Sequence, residues 1–386
     1  MRIAIDLRPL MAGKVSGVEV YIINMLKSLF ELDMPTGQAG TENEYILWYN
    51  AFKHVDINHF PVGGPNVKLK RTRVPNKILN LAMSLLRWPK VDRLIGGNID
   101  MLWVTDPRPA PVSKKCKKVI TFHDLSFEDF KYSFNFKTRI WHKLLRPRKE
   151  AREADLIIAV SEFTKSKLID EYGIAENKIK VIYEAAADNM QPISFPHSLD
   201  IIRRKYGLPE QYFLCLSTIE PRKNINGAIR AYIDWQEGNS ADVGLVIAGK
   251  KYPDIFADLH IKKHPLVHTP GFIDEEDKAL VYQHALAFLY PSFYEGFGLP
   301  ILEAMQCGAP VITSDCTAMP EVAGDAAILV NPNDTEDIKR SMDIIYRDEA
   351  LRGILINSGF RQAKKFNWKK AAEEVRSLFN GLRLVR

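Results

Sequence analysis

Short apolar runs that alternate with longer amphipathic segments restrict this chain to one class of architecture. Residues 3–7, 45–49, 67–71, 101–104, 119–122, 156–160 and 180–183 read as strands in the first half. Residues 213–216, 245–248, 268–272, 287–290, 311–313 and 327–330 repeat the pattern in the second. Strands that take turns with helices predict parallel sheets covered on both faces. The pattern pauses over 188–200, where Pro192, Pro196 and polar residues interrupt the periodicity. Two α/β/α domains are therefore expected, over 1–190 and 191–368, and 386 residues with 46% apolar content suffice for two cores. No G-x-G-x-x-G follows the first strand, which argues against a nicotinamide or flavin dehydrogenase.

The chemistry concentrates in one stretch, Tyr290 to Pro310. An apolar run ends at Tyr290, a loop carries Gly296 and Gly298, and Pro300 suits a first helical position. Gly308 and Pro310 end that helix. Glycines just before a helix N-terminus let backbone N–H groups approach an anion closely, and the helix dipole favours it. Glu295 precedes the helix and Glu303 lies about one turn inside it. Carboxylates accept hydrogen bonds from vicinal hydroxyls, so a sugar joined to a nucleotide through phosphates would satisfy every group. A strand–turn–helix with two solvated glutamates is the alternative on this stretch alone.

Glu295 and Glu303, seven residues apart around Gly-Phe-Gly-Leu-Pro and followed by Ala-Met-Gln-Cys-Gly-Ala-Pro, resemble the E-x7-E motif of retaining glycosyltransferases of family 4. The resemblance implies the GT-B fold, two Rossmann-like domains facing an interdomain cleft. The first domain would bind the acceptor and the second the nucleotide-sugar donor. The closing helix, 369–386, resembles the segment that returns to the first domain in relatives.

Other segments add to the resemblance. Ser217-Thr-Ile-Glu-Pro-Arg-Lys-Asn224 follows a strand and opens a helix. Arg222 and Lys223 at such a turn can neutralise a diphosphate, Arg through forked donors and Lys as a point charge. Glu-Pro-Arg-Lys-Asn is similar to the family's diphosphate-binding loop, although Thr218 stands where many members carry a further Arg. Gly-Phe-Ile273 looks like the loop that holds the nucleotide base. Gly17 matches the first-loop glycine, in a Ser-Gly rather than a Gly-Gly pair. His123 and Asp124 end a strand, at the edge where α/β sheets place function. The resemblance assigns His123 to the transferred sugar, with Asp124 a carboxylate able to orient it. It assigns Arg222, Lys223 and the backbone at Phe297, Gly298 and Leu299 to the diphosphate. Glu295 would hold the sugar and Glu303 the ribose. His-Asp with Glu-Pro-Arg-Lys-Asn looks most like bacterial mannosyltransferases, which favours GDP-mannose as donor and a glycan or lipid-linked saccharide as acceptor. A sugar-nucleotide epimerase and a non-catalytic nucleotide-sugar scaffold are the rival readings.

No cofactor is expected, and no metal: the chain has no Asp-x-Asp to hold a divalent cation on a sugar diphosphate. Cys116, Cys215, Cys307 and Cys316 show neither disulfide nor zinc spacing. The net charge of +6 divides into +8 over residues 1–190 and −2 over the rest, so the basic surplus belongs to the first half. Nucleic acid is not the expected partner, because it would leave the donor motif unexplained. Residues 76–88 read as a helix with a narrow polar stripe of Lys77, Asn80, Ser84 and Arg87, flanked by basic residues. With 131–152, where aromatics interleave with Lys and Arg, this region 68–93 suits an anionic membrane surface. A helix buried in the domain is the other reading. The start is not a signal peptide, and no apolar run nears the ~20 residues a spanning helix needs. A cytoplasmic protein, peripheral at the inner face of the membrane, is expected.

Overall fold

A computed structural model describes residues 1–12, 17–33, 43–52, 60, 64–193, 197–252, 255 and 264–384. The chain divides into two compact units. One comprises Met1–Leu125, Arg139–Glu184 and Asn367–Arg386; the other comprises Ser126–Thr138 and Ala185–Phe366.

The first unit is built on a seven-stranded sheet of order β3-β2-β1-β4-β5-β6-β7. Its strands are β1 (Arg2–Asp6), β2 (Glu44–Asn50), β3 (Val67–Thr72), β4 (Met101–Val104), β5 (Lys117–Phe122), β6 (Leu156–Ala159) and β7 (Ile179–Val181). Every pairing is parallel. Alternate side chains serve opposite faces. Leu102, Val104, Ile120 and Phe122 join Leu79, Met83 and Leu168 in one core. Trp103, between them, points the other way: it meets Tyr21 of the Gly17–Leu32 helix and Phe379 of the Trp368–Leu384 helix edge-on, at centroid distances of 6.5 and 5.5 Å. The closing helix thus forms part of the first unit's core, with Ala372, Val375 and Phe379 fully buried.

The second unit holds a six-stranded sheet of order β10-β9-β8-β11-β12-β13. Its strands are β8 (Tyr212–Leu216), β9 (Gly244–Ala248), β10 (Val267–Gly271), β11 (Ala287–Tyr290), β12 (Val311–Ser314) and β13 (Ile328–Val330), again all parallel. Phe213, Leu245, Leu289 and Ile312 pack with Ile229 and Trp235 of the Ile225–Asn239 helix and Ile338 of the Thr335–Arg347 helix. Each segment read as a strand from the sequence is a strand; inner strands such as β4, β8, β9 and β11 are buried throughout and write continuous apolar runs, whereas β3, β7 and β10 at the sheet edges are partly exposed.

Two local readings change. The helix expected over 76–88 ends at Leu85, where Arg87 takes a left-handed φ of 53° ahead of Pro89. Three of its four stripe residues turn inward while Lys77 stays exposed: Asn80 Oδ1 accepts from Arg8, Ser84 donates to the Leu144 carbonyl, and Arg87 pairs with Glu150 and Glu153. Two of the acidic residues after Ile273, which the sequence would place as helix N-terminal charge, pair with side chains of another helix. Asp277 stands at the start of the Lys278–Gln283 helix without capping it; Asp274 and Asp277 instead accept from Lys205 and Tyr206. Ser161 caps the Glu162–Tyr172 helix, accepting from the Thr164 amide at 3.0 Å.

Candidate active site

An open parallel sheet has a crevice where its strand order reverses, outside the carboxyl ends of the strands. In the second unit that point lies between β8 and β11. The loops leaving these two strands carry Glu-Pro-Arg-Lys-Asn and the Glu295–Leu299 segment, and they are bonded together. The Phe293 amide donates to the Arg222 carbonyl at 2.8 Å, and Arg222 Nη1 donates to the Tyr294 carbonyl at 3.0 Å.

Each residue of Pro221–Asn224 has a distinct task. Pro221 begins a single 3-10 turn, Pro221–Lys223. Asn224 ends it with a left-handed φ of 53° and ties it down by donating to the Pro332 carbonyl at 2.7 Å. The turn drives Lys223 into the interior, where Nζ donates to Tyr290 Oη at 2.7 Å and to Glu295 Oε1 at 2.6 Å. Arg222 Nη1 reaches the other oxygen, Glu295 Oε2, at 2.9 Å. Burial alone would raise the Glu295 carboxyl, but the Arg222 and Lys223 charges prevail and hold it at about 2. Lys223 has the opposite balance: burial and the adjacent Arg222 push its ammonium down from the ordinary lysine range.

Gly298 adopts φ 112°, a conformation few side chains tolerate, and Leu299–Gln306 forms the helix that follows it. Phe297 and Leu299 are buried, Phe297 edge-on to Phe366 at 5.7 Å, so their side chains fix the loop and leave only backbone for a ligand. Glu303 is also buried and accepts from Tyr282 Oη at 3.0 Å. Burial raises its carboxyl, against the Lys278 charge and the Tyr282 bond. The two glutamates of the motif therefore have separate partners. Ile273 is buried after β10. Close by in the sheet, the backbones of β8 and β9 converge so tightly that a Cβ on Gly249 would lie 1.7 Å from the Ser217 carbonyl oxygen.

In the first unit the order reverses between β1 and β4. Thr105, just past β4, donates its hydroxyl to the Asp6 carbonyl at 2.8 Å. The Thr105 carbonyl accepts from His123 Nε2, and Glu184 Oε1 accepts from His123 Nδ1, both at 2.9 Å. Burial opposes the imidazolium, but the Glu184 hydrogen bond and charge, with Asp106 and Thr105, raise His123 above its ordinary value. The carboxylate bonded to the ring is Glu184, after β7; Asp124 sits half-buried beside the histidine in the chain. Tyr21 packs edge-on to the ring at 4.7 Å. Gly17 opens the Gly17–Leu32 helix, and the first-loop residues before it, 13–16, lie outside the described residues.

Sequence reading assigned Arg222 and Lys223 to the diphosphate and Glu295 to the sugar; the structure brings all three into direct contact. Sequence reading did not single out Glu184, Glu220, Tyr290 or Tyr282. A carboxylate directly after a strand's carboxyl end was the available signal for Glu184. Among the described residues, no group of three or more His, Cys, Asp or Glu is placed to hold a metal ion.

Residues 200–362 match the family model described as glycosyl transferases group 1, and residues 15–186 match glycosyltransferase family 4. The O-antigen chain mannosyltransferase B of Escherichia coli is 34% identical over 265 residues, covering 67% of this chain and 69% of that protein. The chain belongs to glycosyltransferase family 4. A serotype-specific mannosyltransferase of Escherichia coli is 32% identical over 66% of this glycosyltransferase, although the match spans only 32% of that larger protein. Among solved structures, sucrose-phosphate synthase from Thermosynechococcus elongatus superimposes with a TM-score of 0.73 at 18% identity, covering 100% of both chains. WaaG, a glycosyltransferase involved in lipopolysaccharide biosynthesis, gives 0.68 at 14% identity, covering 97% of this chain and 99% of its own. At such identities the likeness is one of fold, and that fold is GT-B.

Proposed function

We propose that this glycosyltransferase moves mannose from GDP-mannose, with retention at the anomeric carbon, to a glycan or lipid-linked saccharide. The observation that carries the reading is the convergence of Arg222 and Lys223 on Glu295 at the switch point of the second sheet, in a chain whose curated relatives include named mannosyltransferases. Preorganised cations at a buried site stabilise charge that develops on a leaving group. Arg222, Lys223 and the backbone N–H groups at Phe297–Leu299 would take the departing diphosphate, and Ile273 would line the base. Glu295 would position the sugar hydroxyls and Glu303 the ribose.

His123 would turn Nε2–H from the Thr105 carbonyl to a hydroxyl of the transferred sugar, while Glu184 keeps the ring oriented and Asp124 stands beside it. Attack would come from the face the leaving group departs, a phosphate oxygen accepting the acceptor's proton. The cationic pair supplies what a divalent metal would, so transfer is proposed to need none.

Surface chemistry supports a peripheral membrane position. Ile78, Leu81, Leu85, Leu86 and Trp88 are all exposed, between 43% and 73%, in a segment flanked by Lys70, Arg73, Lys90 and Arg93. An anionic membrane would accept the apolar face and pair with the basic rim. No helix among the described residues is long and apolar enough to cross a membrane.

A thermal-shift screen of sugar nucleotides tests the donor, because a ligand that binds only the folded state raises its melting temperature. GDP-mannose should give the largest shift, and anomeric NMR of the transferred product should show the donor's configuration. Stabilisation by no sugar nucleotide, or an inverted product, would overturn the reading.

A further inference from the structure

Glu220 opens the motif yet has no part in the mechanism above. It is 1% exposed, and neither carboxylate oxygen accepts a hydrogen bond in good geometry. Arg222 Nη2 stands 2.9 Å from Oε1. The same guanidinium uses Nη1 to reach Glu295, so Glu220 and Glu295 hold the fork from two sides. Lys223 and the Tyr290 hydroxyl complete the surroundings, bonded to each other at 2.7 Å.

Charge balance gives this cluster a consequence. Glu220 and Glu295 against Arg222 and Lys223 make a neutral quartet with three of its members buried. A doubly charged diphosphate brought to the two cations leaves the cluster strongly negative, and uncompensated charge in a poorly solvated site is costly. The site can relieve that cost by retaining a proton on one carboxylate. Glu295 is the poorer candidate, since both of its oxygens accept from cations. Glu220 has one ion-pair partner within reach, Arg222, which it shares with Glu295, and its oxygens make no hydrogen bond of good geometry.

We propose that Glu220 is a positioning residue of the donor site, which aims Arg222 and takes up one proton from solvent when the sugar nucleotide binds. The inference rests on the donor-site reading above. Burial raises the Glu220 carboxyl even before a donor arrives, against the pull of Arg222 and Lys223 and with Glu295 adding to the rise. Burial and the Arg222 charge lower the Lys223 ammonium, with Glu295 and Glu220 opposing them.

Calorimetric titration of the full chain with GDP-mannose, and in a second arm with UDP-glucose, counts the protons when run at one pH in buffers of different ionisation enthalpy. Sugar nucleotides are the right probes because both phosphates are diesterified and do not titrate near neutrality, unlike a free diphosphate. Net uptake approaching one proton per donor is expected, with affinity weakening by up to about tenfold per pH unit as pH rises. Glu220→Gln should abolish the uptake and flatten the pH profile. Donor binding without proton exchange in the wild-type protein would overturn the inference, however the variant behaves. Uptake that persists in Glu220→Gln would overturn it as well and assign the proton to another group. Binding of neither donor would remove the donor-site reading, and this inference with it.

Discussion

Glu295 and Glu303 share one motif but differ in every contact, and the difference sets what each mutation does. Glu295 occupies the two cations that a diphosphate needs. Glu295→Gln should therefore leave affinity for free nucleoside diphosphate at or above wild type while kcat falls, by about 10-fold or more for a charged hydrogen bond of ~1.5–3 kcal/mol. Glu303 accepts from the neutral Tyr282 hydroxyl, and ribose contacts change little between ground and transition states. Glu303→Gln should mainly raise KM, costing about 1–3 kcal/mol in donor affinity. Calorimetric binding alongside steady-state kinetics of both variants checks the pair; equal losses in both quantities would end the division of labour. His123 carries a pH signature. Its folded-state pKa is raised by Glu184, so its stabilisation is complete below the unfolded imidazole value and is lost as pH rises through the folded one. The melting temperature should fall across that alkaline limb, and His123→Gln should flatten the fall. The Glu184 partner could not be read from order along the chain, since it lies 61 residues from His123 and only the β5-β6-β7 pairing brings it near.

Among the elements, the Asn76–Leu85 helix shows how a periodic pattern can be read while the direction its stripe faces stays open. Its polar stripe was legible, but most of the stripe serves the interior, because Arg8, Leu144 and Glu150 offer partners there. Leu81 and Leu85 remain exposed, at 43% and 51%. Leu81→Glu with Leu85→Glu should release the protein from anionic liposomes and shift its melting temperature little. If the pair unfolds the protein instead, these leucines are core and the membrane face is wrong. The Trp368–Leu384 helix behaves oppositely. Trp368, Val375 and Phe379 are buried, at ~1.5–3 kcal/mol for each fully buried side chain, and domains are stable by only about 5–15 kcal/mol. Deletion after Phe366 should cost most of the first unit's stability, seen as loss of its cooperative thermal transition. A truncated chain that melts like wild type would show the helix to be dispensable.

At the scale of the whole molecule, catalysis is expected to survive removal of divalent metal. Activity abolished by EDTA and restored by magnesium or manganese would refute that. The architecture was open to sequence reading because each of its causes is local: parallel strands buried on both faces are continuous apolar runs, and Gly298, Pro300, Gly308 and Pro310 bound a helix by backbone geometry alone. The residue types of the site were legible for the same reason, since Arg222, Lys223 and Glu295 belong to short motifs that lie on strand-to-helix loops. Which side chains pair was decided only by the fold. The β8–β11 adjacency carries Lys223 to Tyr290 and Glu295 across 67 and 72 residues. The β1–β4 adjacency sets Thr105 on Asp6, 99 residues away. Composition and period act along the chain, whereas charge pairing and desolvation act through space, and the sheet order converts one into the other.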